Sequence, residues 1–158
     1  VFGAIASLDV DFVDFPDNIT APVIGETWFR QYCLPDYDEL ADRLDVPVYV
    51  HMDGDLAPLY AAIGESKVSG LDSLSPPPDN DTSPGAALAM WPYMRVAVNF
   101  PSSVHLAPPE QVYRTTMDLL EQGGGSGRLQ IQISENVPPS CWPRSFPQIV
   151  RAIHDFHD

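Results

Sequence analysis

The chain has 158 residues, 44% hydrophobic and 19% charged, enough for one domain with a sizeable core and too short for two ordinary ones. Its 22 acidic residues against 8 basic ones give a formal charge of -14, which repels phosphate backbones and anionic lipid and so disfavours nucleic-acid binding. No run approaches the roughly 18 apolar residues of a membrane span, the start VFGAIASL lacks the basic flank of a secretory signal, and Cys33 and Cys141 stand far apart in unlike contexts, so a reducing, cytoplasmic setting without disulfides is expected.

The chain opens on Val1 with an apolar stretch and no initiator Met, which reads as the middle of something longer. Asp11 to Phe15 alternates and is expected to form a strand whose exit carries Asp17 and Asn18, with a loop over Ile19 to Gly25. Trp28, Phe29 and Tyr32 follow at helical spacing and are expected in the core or its wall. Leu34-Pro35 then interrupts them, and a second helix runs to Leu44 with Tyr37, Leu40, Ala41 and Leu44 apolar.

Val46 to Gly54, VPVYVHMDG, is the most informative stretch. It is a β-branched apolar run ending in acid/base-capable side chains and a glycine, as a buried parallel strand ends at a site. Val48 and Val50 share one face and Tyr49 and His51 the other, because side chains alternate along a strand. A helix is expected from Gly54 to Gly64, with Leu56, Leu59, Tyr60 and Ile63 as its apolar stripe.

Beyond it, Val68 to Leu74 reads as a third strand, and Ser75 to Asp81 as a proline-stiffened acidic loop. Ser83 is the expected N-cap of a helix over Gly85 to Trp91. Arg95 to Phe100 is a fourth strand ending at Asn99, Glu110 to Gln122 a helix, and Arg128 to Ser134 a fifth strand leading into Glu135 and Asn136. Ser145 is expected to cap a closing helix, with Phe146, Ile149, Val150, Ile153 and Phe156 apolar.

Five alternations of strand and helix predict an α/β fold with a parallel sheet. Two layouts compete: a doubly wound sheet, complete at this length, and a (β/α)8 barrel, which needs roughly 250 residues and of which this chain would hold about five units. In either, the carboxyl ends of the strands open onto one face. There the sequence gathers Asp17 and Asn18, His51 with Asp53 and Asp55, Asp72, Asn99, and Glu135 with Asn136.

Two kinds of chemistry fit that set. His51, Asp53 and Glu135 offer one imidazole and two carboxylates, a donor set for zinc or another divalent ion with an open position. Alternatively Asp17, Asp53 or Glu135 does acid/base work in a shared cleft, where mutual repulsion raises at least one pKa. Each residue also has a plain structural reading: His51 bonded to a neighbouring strand, Asp53 capping the next helix, Glu135 solvated. His105 is expected on the surface, His154 and His157 to serve a helix dipole, and Gly123 to Gly127 to be a hinge, since no Lys-Ser/Thr follows as in a phosphate loop.

Four segments in order, DFPDNITAPVIG from Asp14, HMDGDLAPL from His51, GLDSLSPPP from Gly70 and GRLQIQISENVPP from Gly127, resemble the carboxyl-terminal portion of the uroporphyrinogen decarboxylase superfamily, which also contains cobalamin and thiol methyltransferases. The resemblance covers the chain from about Asp9 onward. It implies a (β/α)8 barrel of which this chain lacks the first three βα units. In the methyltransferase branch a zinc site has the form His-x-Cys plus a later Cys. His51 matches the histidine, while Asp53 and Glu135 stand where the two thiolates would be. The decarboxylase branch has a Gly-His-Gly segment at the position of Glu135, which is absent here, and a porphyrinogen with many carboxylates would meet an acidic face.

The resemblance thus implies methyl transfer from a small methylated substrate to a thiol or to a corrinoid on a partner protein. A divalent metal on His51, Asp53 and Glu135 would assist, and Asp17 and Asn99 would orient the substrate. The alternatives are decarboxylation, with Asp17 or Asp53 stabilising a protonated intermediate, and a non-catalytic half-barrel assembly module. Open barrel edges predict a homo-oligomer or a partner supplying the missing half.

Overall fold

The computed structural model describes residues 2–133 and 137–157. After a short helix α1 (Phe2–Ile5), the chain alternates β1 (Val13–Phe15), α2 (Ala21–Trp28), α3 (Leu34–Arg43), β2 (Val48–His51), α4 (Tyr60–Glu65), β3 (Gly70–Leu74), α5 (Pro84–Met90), β4 (Arg95–Asn99), α6 (Pro109–Gly123), β5 (Leu129–Gln132) and α7 (Trp142–His157).

All strand pairings are parallel, and the sheet order is β1-β2-β3-β4-β5. A doubly wound sheet reverses direction at a switch point; here each strand lies beside its successor throughout. Parallel crossovers are right-handed as a rule, and with each one running to the next strand in the same direction the helices fall on one face. This is an arc of a (β/α) barrel wall, with β1 and β5 as its two edges. The expected α/β class holds, and the doubly wound layout does not.

The alternation of each strand divides the two faces. Val48, Val50, Leu71, Val96 and Val98 face the helices and join Phe29, Tyr37, Leu40, Leu59, Ile63, Val112 and Ile149 in one buried core. The opposite, concave face carries Asp14, Tyr49, His51, Asp72, Arg95, Ala97, Asn99, Gln130 and Gln132, none of them a branched aliphatic residue.

Strand β3 departs from regular pleating. Leu71 pairs with Val96 and Leu74 with Val98, so three steps on β3 match two on β4, and Ser73 takes φ 58°. This is a bulge. It lets Leu71 and Leu74, three apart, both enter the core, while Asp72 stays on the concave face.

Several expected boundaries change. The segment read as a loop over Ile19 to Gly25 is helical from Ala21, with a kink at Gly25 (φ 66°). Leu34-Pro35 does not interrupt the chain: a π-helical turn over Phe29–Cys33 widens the coil and leads directly into α3, where Pro35 occupies the first turn and needs no intrahelical N–H bond. The helix expected from Gly54 begins later, with a 3-10 turn at Ala57–Leu59, because Gly54 adopts φ 145° and a Cβ there would collide with Thr20. Ser145 does not cap α7, which starts at Trp142. Ser83 caps α5 as expected, its hydroxyl accepting from the Ala86 N–H at 3.2 Å. Trp28 and Tyr32 are exposed instead of walled in, and Tyr93 is 95% exposed, whereas Phe29 and Trp91 are buried. No helix among the described residues is long and apolar enough to cross a membrane.

Candidate functional site

The strand tips of β2 and β3 form the centre of the site. His51 and Asp72 are register partners, and the His51 Nδ1 lies 2.8 Å from Asp72 Oδ2. A carboxylate only accepts, so this contact places a ring proton on Nδ1, and in the neutral ring the lone pair then lies on Nε2. Asp72 is held in turn by Gln132 of β5, whose Nε2 donates to Asp72 Oδ1 at 2.9 Å and to Ser73 Oγ at 3.0 Å.

A second chain of bonds runs alongside. The Ser75 hydroxyl donates to Asp53 Oδ1 at 2.5 Å, and Asn99 Nδ2 donates to Ser75 Oγ at 3.4 Å. Ser75 and Asn99 are both buried, so this link is shielded from water. The end of β3 thereby aims both acid/base groups of β2: Asp72 orients His51, and Ser75 orients Asp53. The bulge makes this possible, since a regular strand would turn Leu74 onto the concave face beside Asp72.

The loops at the same end are tied to one another. Asp81 accepts from the N–H groups of Leu56 (2.8 Å) and Ala57 (3.2 Å), capping the turn after β2 from the loop after β3. Asp79 accepts from the Ser102 hydroxyl (3.2 Å) and from the Ser103 N–H and hydroxyl, joining that loop to the one after β4. The Asp53 capping alternative therefore does not apply; Asp81 has that role. On the β1 side, the Ile19 N–H donates to the His51 carbonyl at 3.3 Å.

Asp14, on the neighbouring strand, has its carboxyl pushed above the usual range by burial and then by the charge of Asp72, with His51 opposing. Asp17 is exposed on the rim and accepts from the Tyr37 hydroxyl at 2.5 Å; burial and then this bond push the Tyr37 hydroxyl well above its ordinary range. Burial, then the Asp17 charge, likewise raises the Cys33 thiol.

The structure brings His51, Asp53 and Asn99 to one end of the sheet through Asp72 and Ser75. Asp17 follows β1 on the adjoining loop and is bonded to Tyr37. Glu135 lies outside the described residues. Among the described residues no group of three His, Cys, Asp or Glu side chains is placed to hold a metal ion; His51 and Asp53 are two donors of the expected three. His105 is not a surface residue: it is 1% exposed, packed at a tilt against Phe100 and edge-on to Phe146, with Nδ1 3.0 Å from the Ser145 hydroxyl.

Sequence reasoning left three contributors unassigned. Asp72 stood among the polar strand tips, but its pairing with His51 depends on register. Ser75 read only as a loop residue. The alternation in RLQIQIS marks Gln130 and Gln132 as one polar face of a strand, a signal that could have found Gln132.

No protein-family model matches the chain, and no curated protein does. Among solved structures, a methyltransferase from Methanosarcina mazei is similar to it with a TM-score of 0.74 over 95% of this chain, at 15% sequence identity. The chain spans 43% of that protein's length. At that identity the likeness bears on the fold alone.

Proposed function

We propose that this chain is the carboxyl-terminal wall of a barrel of the uroporphyrinogen decarboxylase type and that its activity is methyl transfer, from a small methylated substrate to a thiol or to a corrinoid on a partner protein. The observation that carries the reading is His51, fixed through Nδ1 by Asp72 at the carboxyl end of β2. A carboxylate behind an imidazole is the usual support of a metal-bound histidine, because it sets the tautomer and makes Nε2 a better donor. The fold shared with a methyltransferase supports the same reading.

The donor chemistry fits a divalent ion in part. His51 Nε2 and the Asp53 oxygen not engaged by Ser75 are two donors, and Glu135 is the third that the reading requires. Such an ion, when bound, polarises the acceptor and favours the thiolate over the thiol. The chain's own residues do the rest. Asp72 and Gln132 hold the imidazole in one tautomer and orientation, Ser75 and Asn99 hold the Asp53 carboxylate, and Asp17 meets the substrate at the rim beside Tyr37. Asp14, Asp53 and Asp72 together repel a polycarboxylate, which weighs against porphyrinogen decarboxylation.

The test is metal content after equilibration of the full chain with zinc. A stoichiometric ion that is lost in His51→Ala, and bound about 10- to 100-fold more weakly in Asp72→Asn, is the expected result. Equal zinc in wild type and His51→Ala would remove the metal from the reading. Transfer itself is followed with methylcobalamin and a simple thiol, where an unchanged methyl-cobalt absorbance would count against methyl transfer.

A further inference from the structure

The concave face holds a second feature, nearer the amino ends of the strands. A barrel interior is ordinarily filled by layers of branched aliphatic side chains; this one is polar to its lowest row. Asp14, Tyr49, Gly70 and Arg95 are register partners across β1, β2, β3 and β4. A cavity of about 420 Å³ opens over that row, lined by Asp14, Tyr49, Arg95, Phe12 and Asp72, within the range of small-molecule sites.

Its chemistry has two ends. The Tyr49 ring lies over Gly70, where a Cβ would stand 2.7 Å from Tyr49 Cε1, and Phe12 stands edge-on to it, with centroids 5.7 Å apart at 81°. Two carboxylates, Asp14 and Asp72, border the same rings. A ring face beside carboxylates attracts an organic cation. At the other end is Arg95, which forms no ion pair among the described residues. Arg128 also lines the cavity, but its guanidinium is held by the carbonyls of Leu88, Trp91 and Met94 at 3.0 to 3.1 Å.

Asp14 accepts no side-chain hydrogen bond among the described residues, and partial burial and then the charge of Asp72 raise its pKa, with His51 and the Phe15 N–H opposing. In a chain of charge -14 free anions are repelled overall, so Arg95 is reached most easily by a carboxylate that brings its own positive group.

We propose that this cavity binds a small zwitterion, with an alkylated ammonium held by Asp14, Asp72 and the Tyr49 face and a carboxylate held by Arg95. The row ends are three strand spacings apart, about 14 Å between backbones, and the two side chains close much of that gap. The methyl-transfer reading makes this ligand the methylated substrate; binding is measured without turnover.

Isothermal titration of the full chain with glycine betaine, choline and acetate tests it. Betaine is expected to saturate one site, choline to bind more weakly, and acetate not at all. Asp14→Asn weakens betaine and choline by about tenfold or more, whereas Arg95→Gln weakens betaine by about tenfold and leaves choline unchanged. Both residues are exposed, and circular dichroism checks that the variants are folded. No saturable betaine binding, or betaine binding indifferent to both substitutions, overturns the proposal. The two readings fail separately, because His51→Ala is expected to lose zinc and retain betaine.

Discussion

His105 is a buried imidazole whose Nε2 has no hydrogen-bond partner among the described residues, while Nδ1 meets Ser145 and the ring packs at a tilt against Phe100. Burial lowers its pKa below the ordinary histidine value, with Asp79 opposing. The sign follows from linkage. Below the unfolded-state value near 6.5 the unfolded chain takes up a proton that the native ring resists, so stability falls as pH drops from there toward the folded-state pKa, and above pH 7 the group has no effect. In urea titrations at pH 7.5 and 5.0, wild type should lose more stability on acidification than His105→Phe, which cannot titrate. Equal losses would show that the ring does not resist the proton. Nothing in the local sequence SSVHL distinguishes this histidine from a surface one; its burial comes from α7, some 40 positions later in the chain.

Among elements, the connections at the carboxyl ends matter more than the helices they join. Asp81 satisfies two backbone N–H groups of the turn after β2, one of them on the fully buried Leu56. Asp81→Ala leaves both donors without that acceptor and should cost about 1–3 kcal/mol. Ser83→Ala removes an ordinary N-cap and should cost about 1 kcal/mol. Urea denaturation of the pair checks the order; a larger loss for Ser83→Ala would mean that the Asp81 link is not what holds the turn. The local signals differed in the same way. Ser83-Pro84 is a complete cap signature within four residues and was legible. The role of Asp81 was not, since it bonds residues 24 and 25 positions earlier. Likewise Pro35 reads as a break until the preceding π-helical turn is known to absorb it.

For the whole molecule, among the described residues no strand covers the two parallel edges, β1 and β5, and apolar side chains are exposed in the chain just ahead of β1 (Leu8, Val10 and Phe12) and just after β5 (Ile133). Such edges invite pairing with further strands. The 17.4 kDa chain should therefore associate in light scattering, more strongly as salt screens its charge of -14. Ile133→Lys should reduce the association by placing a charge beside the β5 edge. A monodisperse monomer at all salt concentrations would contradict this.

The sequence by itself determined the alternation of strand and helix, the two faces of β2, and the gathering of His51, Asp53 and Asn99 at strand ends, because these follow from periodicities of two and 3.6 residues acting over short spans. Only the tertiary structure decided that the sheet is singly wound, that Asp72 and Ser75 reach back to His51 and Asp53, and that Gln132 locks Asp72 from 60 residues away. The physical reason is register: a bulge at Ser73 changes which side chains face each other across strands, and no local pattern in one strand records the alignment of its neighbours.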